Sequence, residues 1–264
     1  MAYVGSATII CMTSVTNSLR DTTAIVTGAT SGLGRAVAGR LASAHAHVAL
    51  LGRSERDLQR AAEEVESQGV LAMALKADLA DTASLGQLVN RAVAELGPLS
   101  ILVNAAGTDV PGSAEELALQ DWERVLAVNL TAPFALARAA MPHMRERGGG
   151  LIVNISSVAG RRGWANASAY CSTKFALTGL TQSLAAEGRG DGIRVCVLYP
   201  GAMSTSWGTF DPAQRATGTG QSSNERDSLN PAVVADLIAW MATAPGEPVL
   251  NEVTMTPIRE GGWP

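Results

Sequence analysis

From residue 22 to residue 255, short aliphatic or β-branched runs alternate with longer Ala-rich stretches, and this alternation constrains the fold more than any other feature. The spacing predicts strands at Thr23–Thr27, His47–Leu51, Val70–Lys76, Ser100–Asn104, Leu151–Ser156, Arg194–Tyr199 and Glu252–Met255. Between them it predicts helices over 32–44, 54–68, 82–96, 115–127, 129–146, 170–188 and 231–243. Runs without polar alternation, such as Val48-Ala49-Leu50-Leu51, suit strands buried on both faces of a parallel sheet. Parallel neighbours need right-handed crossovers, so the expected fold is α/β: a doubly wound, seven-stranded parallel sheet with helices on both faces. Ser54 is placed to cap the second helix, and Asn230-Pro231 offers a cap followed by proline at the first helical position. Gly148-Gly149-Gly150 stops the long helix before the fifth strand.

Residues 19–264 show neither an internal repeat nor a linker and read as a single domain. Residues 1–19 carry no charged side chain and lack the basic start of a secretory signal. The expectation is a flexible arm over 1–18, with Met12 an alternative start. Residues 201–230 are rich in Gly, Ser, Thr and Asn without a period; a loop so long, after the sixth strand's carboxyl end, is expected to cover a ligand crevice. At 264 residues, 47% hydrophobic, with a net charge of −4, the chain can bury a sizeable core and is not disordered. Three cysteines (Cys11, Cys171, Cys196) exclude a disulfide scaffold and point to a reducing compartment. No run approaches 18 apolar residues, and the mild acidity argues against a nucleic-acid binder. A cytoplasmic protein acting on a small molecule, with no membrane or nucleic-acid partner, is expected. His45, His47 and His143 show no metal-ligand spacing, so no metal is implied.

Thr27-Gly28-Ala29-Thr30-Ser31-Gly32-Leu33-Gly34 follows the first strand and opens the first helix. Glycines there let the backbone approach a pyrophosphate, while the helix N-terminus supplies free N–H groups and positive dipole. The spacing is G-x-x-x-G-x-G; alone it is equally a structural turn, and its place between strand and helix favours a dinucleotide. An acidic residue after the second strand would bind the ribose of NAD and repel a 2′-phosphate, at about 1–4 kcal/mol for like charges about 4 Å apart. Gly52-Arg53 stands there instead. Arg53 offers a fork for the phosphate, so NADP(H) is favoured over NAD(H). Asp78, after the third strand, is placed to accept from the adenine amino group or simply to neighbour a helix cap.

Tyr170-Cys171-Ser172-Thr173-Lys174 opens the sixth helix, and positions i and i+4 share one helix face. Lys174 is one of two lysines against 18 arginines, which suggests that a compact ammonium is wanted there. A free tyrosine has a pKa of about 10, and work near pH 7 requires about 4 kcal/mol of phenolate stabilisation, for which an adjacent cation is the obvious source. Ser157 ends Asn154-Ile155-Ser156-Ser157 at the fifth strand, where its hydroxyl would hold a carbonyl oxygen beside Tyr170. Ser156 points the other way by strand alternation.

These motifs occur in the order of the short-chain dehydrogenase/reductase superfamily, whose compact single-domain, Rossmann-type branch the chain resembles over about residues 20–256. Asn104-Ala105-Ala106-Gly107 and Pro200-Gly201 complete the resemblance. It implies Tyr170 as general acid for carbonyl reduction or base for alcohol oxidation, Ser157 as the group orienting the substrate oxygen, and Lys174 as the cation that lowers the Tyr170 pKa and binds the nicotinamide ribose. It implies that Asn129 holds a water linking Lys174 to solvent, that Asn104 ties the fourth strand to its neighbours, and that Thr205 meets the carboxamide. Cofactor contacts are implied for Gly28, Thr30, Ser31, Gly32, Leu33, Gly34, Arg53, Asp78, Leu79, Asn104, Ala105, Gly107, Tyr170, Lys174, Pro200, Gly201 and Thr205. Ala105 departs from a second Asn found in many members. The tail Asn251–Met255 lacks the Gly-Gly pattern that many acyl-carrier-protein reductases show after the last strand, which argues against a fatty-acid synthesis role. Homotetramers or homodimers through the two long central helices are implied, and the Ala-rich stretch Ala132–Ala140 permits close packing.

The expected reaction is hydride transfer from the nicotinamide to a ketone or aldehyde, reversibly. Pocket candidates are Asp109, Val110, Arg162, Trp164, Met203, Trp207 and Phe210, and the two tryptophans suggest an apolar or aromatic substrate as readily as lid packing. Arg161-Arg162 reads better as a solvated pair than as an acid-binding one. An NAD-dependent alcohol or sugar dehydrogenase and a non-catalytic dinucleotide sensor stay open; the sensor would be free to lose Ser157, Tyr170 or Lys174, which are all present.

Overall fold

The computed structural model describes residues 19–205, 228–244 and 249–260. The expected N-terminal arm, Cys11, Met12, Trp207, Phe210 and most of the expected substrate loop lie outside the described residues.

Seven strands form one parallel sheet: β1 (Thr23–Thr27), β2 (His47–Gly52), β3 (Ala72–Lys76), β4 (Leu99–Asn104), β5 (Gly150–Ile155), β6 (Ile193–Pro200) and β7 (Glu252–Met255). Their order is β3-β2-β1-β4-β5-β6-β7. All five residues of β1 are buried, as are all six of β4, which is why these strands read as unbroken apolar runs. The strand order reverses between β1 and β4, and the crevice beyond their carboxyl ends is where such sheets bind ligands. The register sets Thr27 beside Asn104 and Asn104 beside Asn154, which aligns three strand ends along that crevice.

The crossovers supply α1 (Gly32–Ser43), α2 (Glu55–Glu66), α3 (Leu85–Leu96), α4 (Leu119–Leu126), α5 (Ala132–Arg147), α6 (Ser168–Gly188) and α7 (Pro231–Thr243). Leu41, Leu58 and Ile238, from α1, α2 and α7, join the core on one face of the sheet. Leu85, Leu136 and Leu184, from α3, α5 and α6, join that on the other. Ser54 accepts from the Asp57 amide at 3.3 Å and Asn230 from the Ala232 amide at 2.9 Å, so both expected caps are in place. Gly148 ends α5 in the left-handed region, at φ +87°.

Three helix boundaries differ most from the sequence expectation, and the others move by two residues at most. The third helix starts at Leu85 rather than 82, after a turn in which Ser84 Oγ donates to Asp81 O. The fourth starts at Leu119 rather than 115, because Glu116 bonds back to Ser113 and closes a separate turn. The break expected between helices four and five is absent: a π-helical turn over Ala127–Thr131 joins α4 to α5. Such a turn inserts one residue without ending the helix, and it spans Asn129, whose carbonyl Pro133 has no N–H to bond in an α-helical ladder. The joined helix Leu119–Arg147 is long and apolar enough by length and composition to cross a bilayer, but half of its most apolar window is buried in this fold. Leu136, Ala137, Ala140 and Met144 turn that side toward the sheet.

Candidate active site

The site is assembled where β1 and β4 part. After β1 the chain turns through Gly28 (φ +66°) and Gly32 (φ +50°) into α1. A Cβ on Gly28 would lie 2.9 Å from Ala106 Cα, and one on Gly34 would lie 2.3 Å from Gly28 O. Only glycine fits a turn pressed this closely onto the loop after β4. Thr27 Oγ1 fastens the two loops by accepting from the Ala106 amide at 3.0 Å. Ser31 precedes α1 without making a side-chain cap, so no side chain of its own takes the first amides of the helix. A helix start of this kind suits an anion, and the pyrophosphate of a nicotinamide dinucleotide fits this cradle. Thr205 closes over it, with its methyl 3.2 Å from where a Gly32 Cβ would stand.

At the end of β2 a Cβ on Gly52 would meet Thr30 Cγ2 at 3.1 Å and Leu58 Cδ2 at 3.3 Å, so a larger residue there would need these side chains to give way by a few tenths of an ångström. Arg53 follows, exposed. Asp78, beyond β3, is held below the usual carboxylate range first by the Ala80 amide, then by Arg124 and by the charge of Arg53. Its Oδ1 accepts from Ala80 at 3.0 Å and its Oδ2 lies 3.1 Å from Arg124 Nη2. Asp78 is therefore an ion-paired strand-end residue, a feature its sequence position did not reveal. Leu79 beside it is buried.

Tyr170 and Lys174 stand one turn apart on α6, 8% and 4% exposed. Lys174 Nζ lies 5.5 Å from the centre of the Tyr170 ring and donates to Ile155 O at 2.7 Å. Ser157 follows β5, accepts from the Ala159 amide at 3.1 Å, and shares a hydrogen bond with the Tyr170 phenol. Ser156 turns away and donates to Lys174 O at 3.1 Å. Burial pushes the phenol well above its ordinary range; the Ser157 bond opposes this, and the charges of Asp109 and Cys171 add to it. The ammonium beside the ring spends one of its three donors on that carbonyl, and desolvation of the enclosed phenol opposes the lowering expected from the cation. Burial also pulls Lys174 down to about 8.

The Lys174 shift has a measurable consequence. Above pH 8 the unfolded chain keeps a proton on Lys174 that the folded chain has released, so this residue's contribution to stability rises with pH until about 10.5. The urea-unfolding free energy of the wild type, relative to Lys174→Met, is expected to gain about 1 kcal/mol between pH 7 and 9. A flat difference would mean that the ammonium is not desolvated.

Asn129, in the π-helical turn, grips the loop after β4: it accepts from the Thr108 amide at 2.9 Å, donates to Thr108 O at 2.8 Å and reaches Thr173 Oγ1 at 3.2 Å. Asn104 donates to Asn154 Oδ1 at 2.8 Å, and Asn154 donates to Thr181 Oγ1 at 2.9 Å, which joins β4, β5 and α6. The buried Asn104 Oδ1 has no partner among the described residues. Thr108, Thr173, Asn154 and the Ile155 carbonyl were missed by sequence reasoning; only the strand-end register of Asn154 with Asn104 offered a signal. Ala105 and Gly107 flank this loop, half-buried. Pro200 ends β6; Gly201 donates to Met255 O at 2.8 Å, and the Ala202 amide donates to Glu260 Oε2 at 2.9 Å.

Among the pocket candidates, Asp109 and Val110 are half-buried at the crevice, Arg162 and Trp164 are exposed, and Met203 packs on the core. Arg161 is not half of a solvated pair: its guanidinium lies 4.1 Å over the Tyr199 ring and pairs with Glu252. Gly261-Gly262 do stand after β7 in the sequence, outside the described residues, so the tail carries no case against a fatty-acid synthesis role.

The model of the short chain dehydrogenases matches residues 22–215. A short chain dehydrogenase of Pseudocercospora fijiensis is 39% identical over 74% of this chain, which spans only 64% of that relative's length. The D-threitol dehydrogenase of Mycolicibacterium smegmatis is 37% identical over 70% of this chain and 71% of its own. The crystal structure of a Burkholderia cenocepacia short chain dehydrogenase in complex with NADP superposes with a TM-score of 0.80 at 32% identity, over 91% of this chain and 98% of that one. A glycine cradle at a switch point stands beside the half-buried Ser157 and the buried Tyr170 and Lys174, an arrangement suited to dinucleotide-dependent oxidoreduction. The chain belongs to the short chain dehydrogenase family, and acts as an NAD(P)-dependent oxidoreductase on alcohol or carbonyl groups.

Proposed function

We propose that the chain is an NADP-dependent reductase of a ketone or aldehyde, working reversibly with Tyr170 as general acid and base. The observation that carries this reading is the buried Tyr170 phenol, bonded to Ser157, with Lys174 on the next turn. The phenol holds a proton at neutral pH to give to a forming alkoxide, and the ammonium beside its ring supports the phenolate left behind. Ser157 supplies a preorganised donor to the same oxygen. Lys174, anchored on Ile155 O, sets the floor of the site and places positive charge beside the phenol. Asn129 fixes the loop that carries Thr108 and Asp109. The turn Gly28–Gly34, with Asn104 and Gly201, would hold a dinucleotide, which supplies the hydride when bound. NADPH consumption over a panel of ketones, aldehydes and keto-esters, with NADH in parallel, tests the reading; binding without any turnover would favour a sensor.

Preference for NADP rests on Arg53, which forms no ion pair among the described residues and follows Gly52, where no acid stands to repel a 2′-phosphate. Arg53→Ala is expected to lower the NADPH:NADH ratio of kcat/KM at least tenfold, about 1.4 kcal/mol, by removing a fork to the 2′-phosphate. Arg53→Asp should go further and favour NADH. An unchanged ratio in both variants would remove Arg53 from cofactor choice.

A second reading, oxidation of a polyol, is supported by Asp109. Its half-buried carboxyl is raised by burial and has only the Val110 amide to oppose that, so it is suited to accept from substrate hydroxyls. The likeness to a D-threitol dehydrogenase supports the same class. The exposed Phe134 on α5 and Phe175 on α6 support a homodimer or homotetramer built on these helices; light scattering of the purified chain reads this directly.

A further inference from the structure

At the opposite end of the sheet, the amino ends of β4, β5 and β6 border an open cavity of about 290 Å³. Four to six residues along each strand, about 13–20 Å, separate it from the candidate active site. Two cations line it. Arg147, at the end of α5, donates to the hydroxyl of the buried Ser100. Arg194, on β6, donates to Met241 O at 2.9 Å. Neither guanidinium pairs with a carboxylate among the described residues, and no acid lines the cavity. Asp191, on the turn before β6, is taken by Arg145 at 2.7 Å. Burial lowers both guanidiniums, with no opposing charge to offset it.

The wall between the arginines is fixed backbone. Gly148 and Gly149 hold φ of +87° and +143°, and a Cβ on Gly149 would lie 2.8 Å from Gly192 O. The amides of Gly148 and Gly149 are spent on Arg145 O and Met144 O, so the unspent donors are those of the guanidiniums. Each guanidinium has five N–H donors and uses one here, which leaves four on each of the two arginines that line the cavity. Paired forks match the oxygens of phosphate or carboxylate. The space admits several waters, enough for a tetrahedral oxyanion.

We propose that this cavity is an oxyanion site, holding phosphate or the phosphoryl group of a small metabolite between Arg147 and Arg194. An anion there relieves the repulsion of two partly desolvated cations and ties α5 to β6, so it stabilises the folded chain by mass action.

The test uses the full chain saturated with NADP⁺, so that the loop after β1 and Arg53 are occupied. Inorganic phosphate is titrated in by calorimetry at constant ionic strength, with chloride as the balancing ion. One saturable equivalent is expected, displaced by sulfate and not by acetate; displacement by acetate at equal concentration would overturn the phosphate geometry. Arg147→Gln should weaken phosphate at least tenfold and lose the accompanying rise in Tm, while NADPH oxidation in phosphate-free buffer is unchanged. Arg194→Gln reads the second fork, and Arg147→Gln alone decides the matter where Arg194→Gln does not fold. Arg53→Ala should leave the phosphate isotherm as it is. No saturable heat in the wild type, or an isotherm untouched by Arg147→Gln, overturns the proposal.

Discussion

Tyr170→Phe is expected to remove carbonyl reduction almost entirely, lowering kcat/KM by about 10²–10⁴-fold, the range of a lost general acid. The ring is enclosed, so phenylalanine keeps its packing and gives up only the hydroxyl and its bond to Ser157. Stability should therefore change little, and the dinucleotide affinity read by fluorescence titration should stay within about threefold, since the cradle lies on other loops. The wild type and the variant are compared over the same carbonyl panel. A variant retaining more than about a tenth of wild-type turnover would assign proton donation elsewhere. The Ser157 hydroxyl, already bonded to the phenol, would then be the first group to replace.

The second large effect falls on the cradle. Gly34→Ala would put a methyl 2.3 Å from Gly28 O, 2.6 Å from Gly28 C and 3.0 Å from Thr27 O. All three are backbone atoms at the end of the fully buried β1, so none can move aside cheaply. The turn must open, at a cost of about 1–3 kcal/mol or more in stability, and its amides then no longer converge on one anion. Dinucleotide affinity is expected to fall at least tenfold. Gly39→Ala, on the same helix, is the control: its Cβ would meet nothing nearer than Gln68 Nε2 at 3.9 Å. It should stabilise the helix by about 0.5–1 kcal/mol. If the two variants behaved alike, the cradle would be looser than its contacts show.

The sheet was legible because its strands are buried on both faces and leave no polar alternation to confuse them. Val48 to Leu51 is such a run. The joined helix was not legible, because a π-helical turn shifts the period by one residue and Pro133 imitates a fresh start. In the site, Tyr170 and Lys174 were readable from helical spacing alone. The direction of the phenol's shift was not, since it depends on enclosure by chain far away in sequence. The grip of Asn129 on Thr108 and Thr173 joins residues 21 and 44 positions apart, and no local pattern announces it. The same holds for the engagement of Arg161 by Tyr199 and Glu252.

The Glu260 carboxylate, bonded to the Ala202 amide 58 positions upstream, bears on the order in which the protein is completed. Synthesis delivers β1, the glycine turn and the Ala106 loop that closes on it well before the tail is made. The edge of the crevice at Gly201 waits for Met255 and Glu260 to be made. A nascent chain, or a fragment ending before β7, thus has its phosphate cradle but an unfinished rim. Ligand capture during biosynthesis should begin at the pyrophosphate end and become tight only at the last turn of the tail.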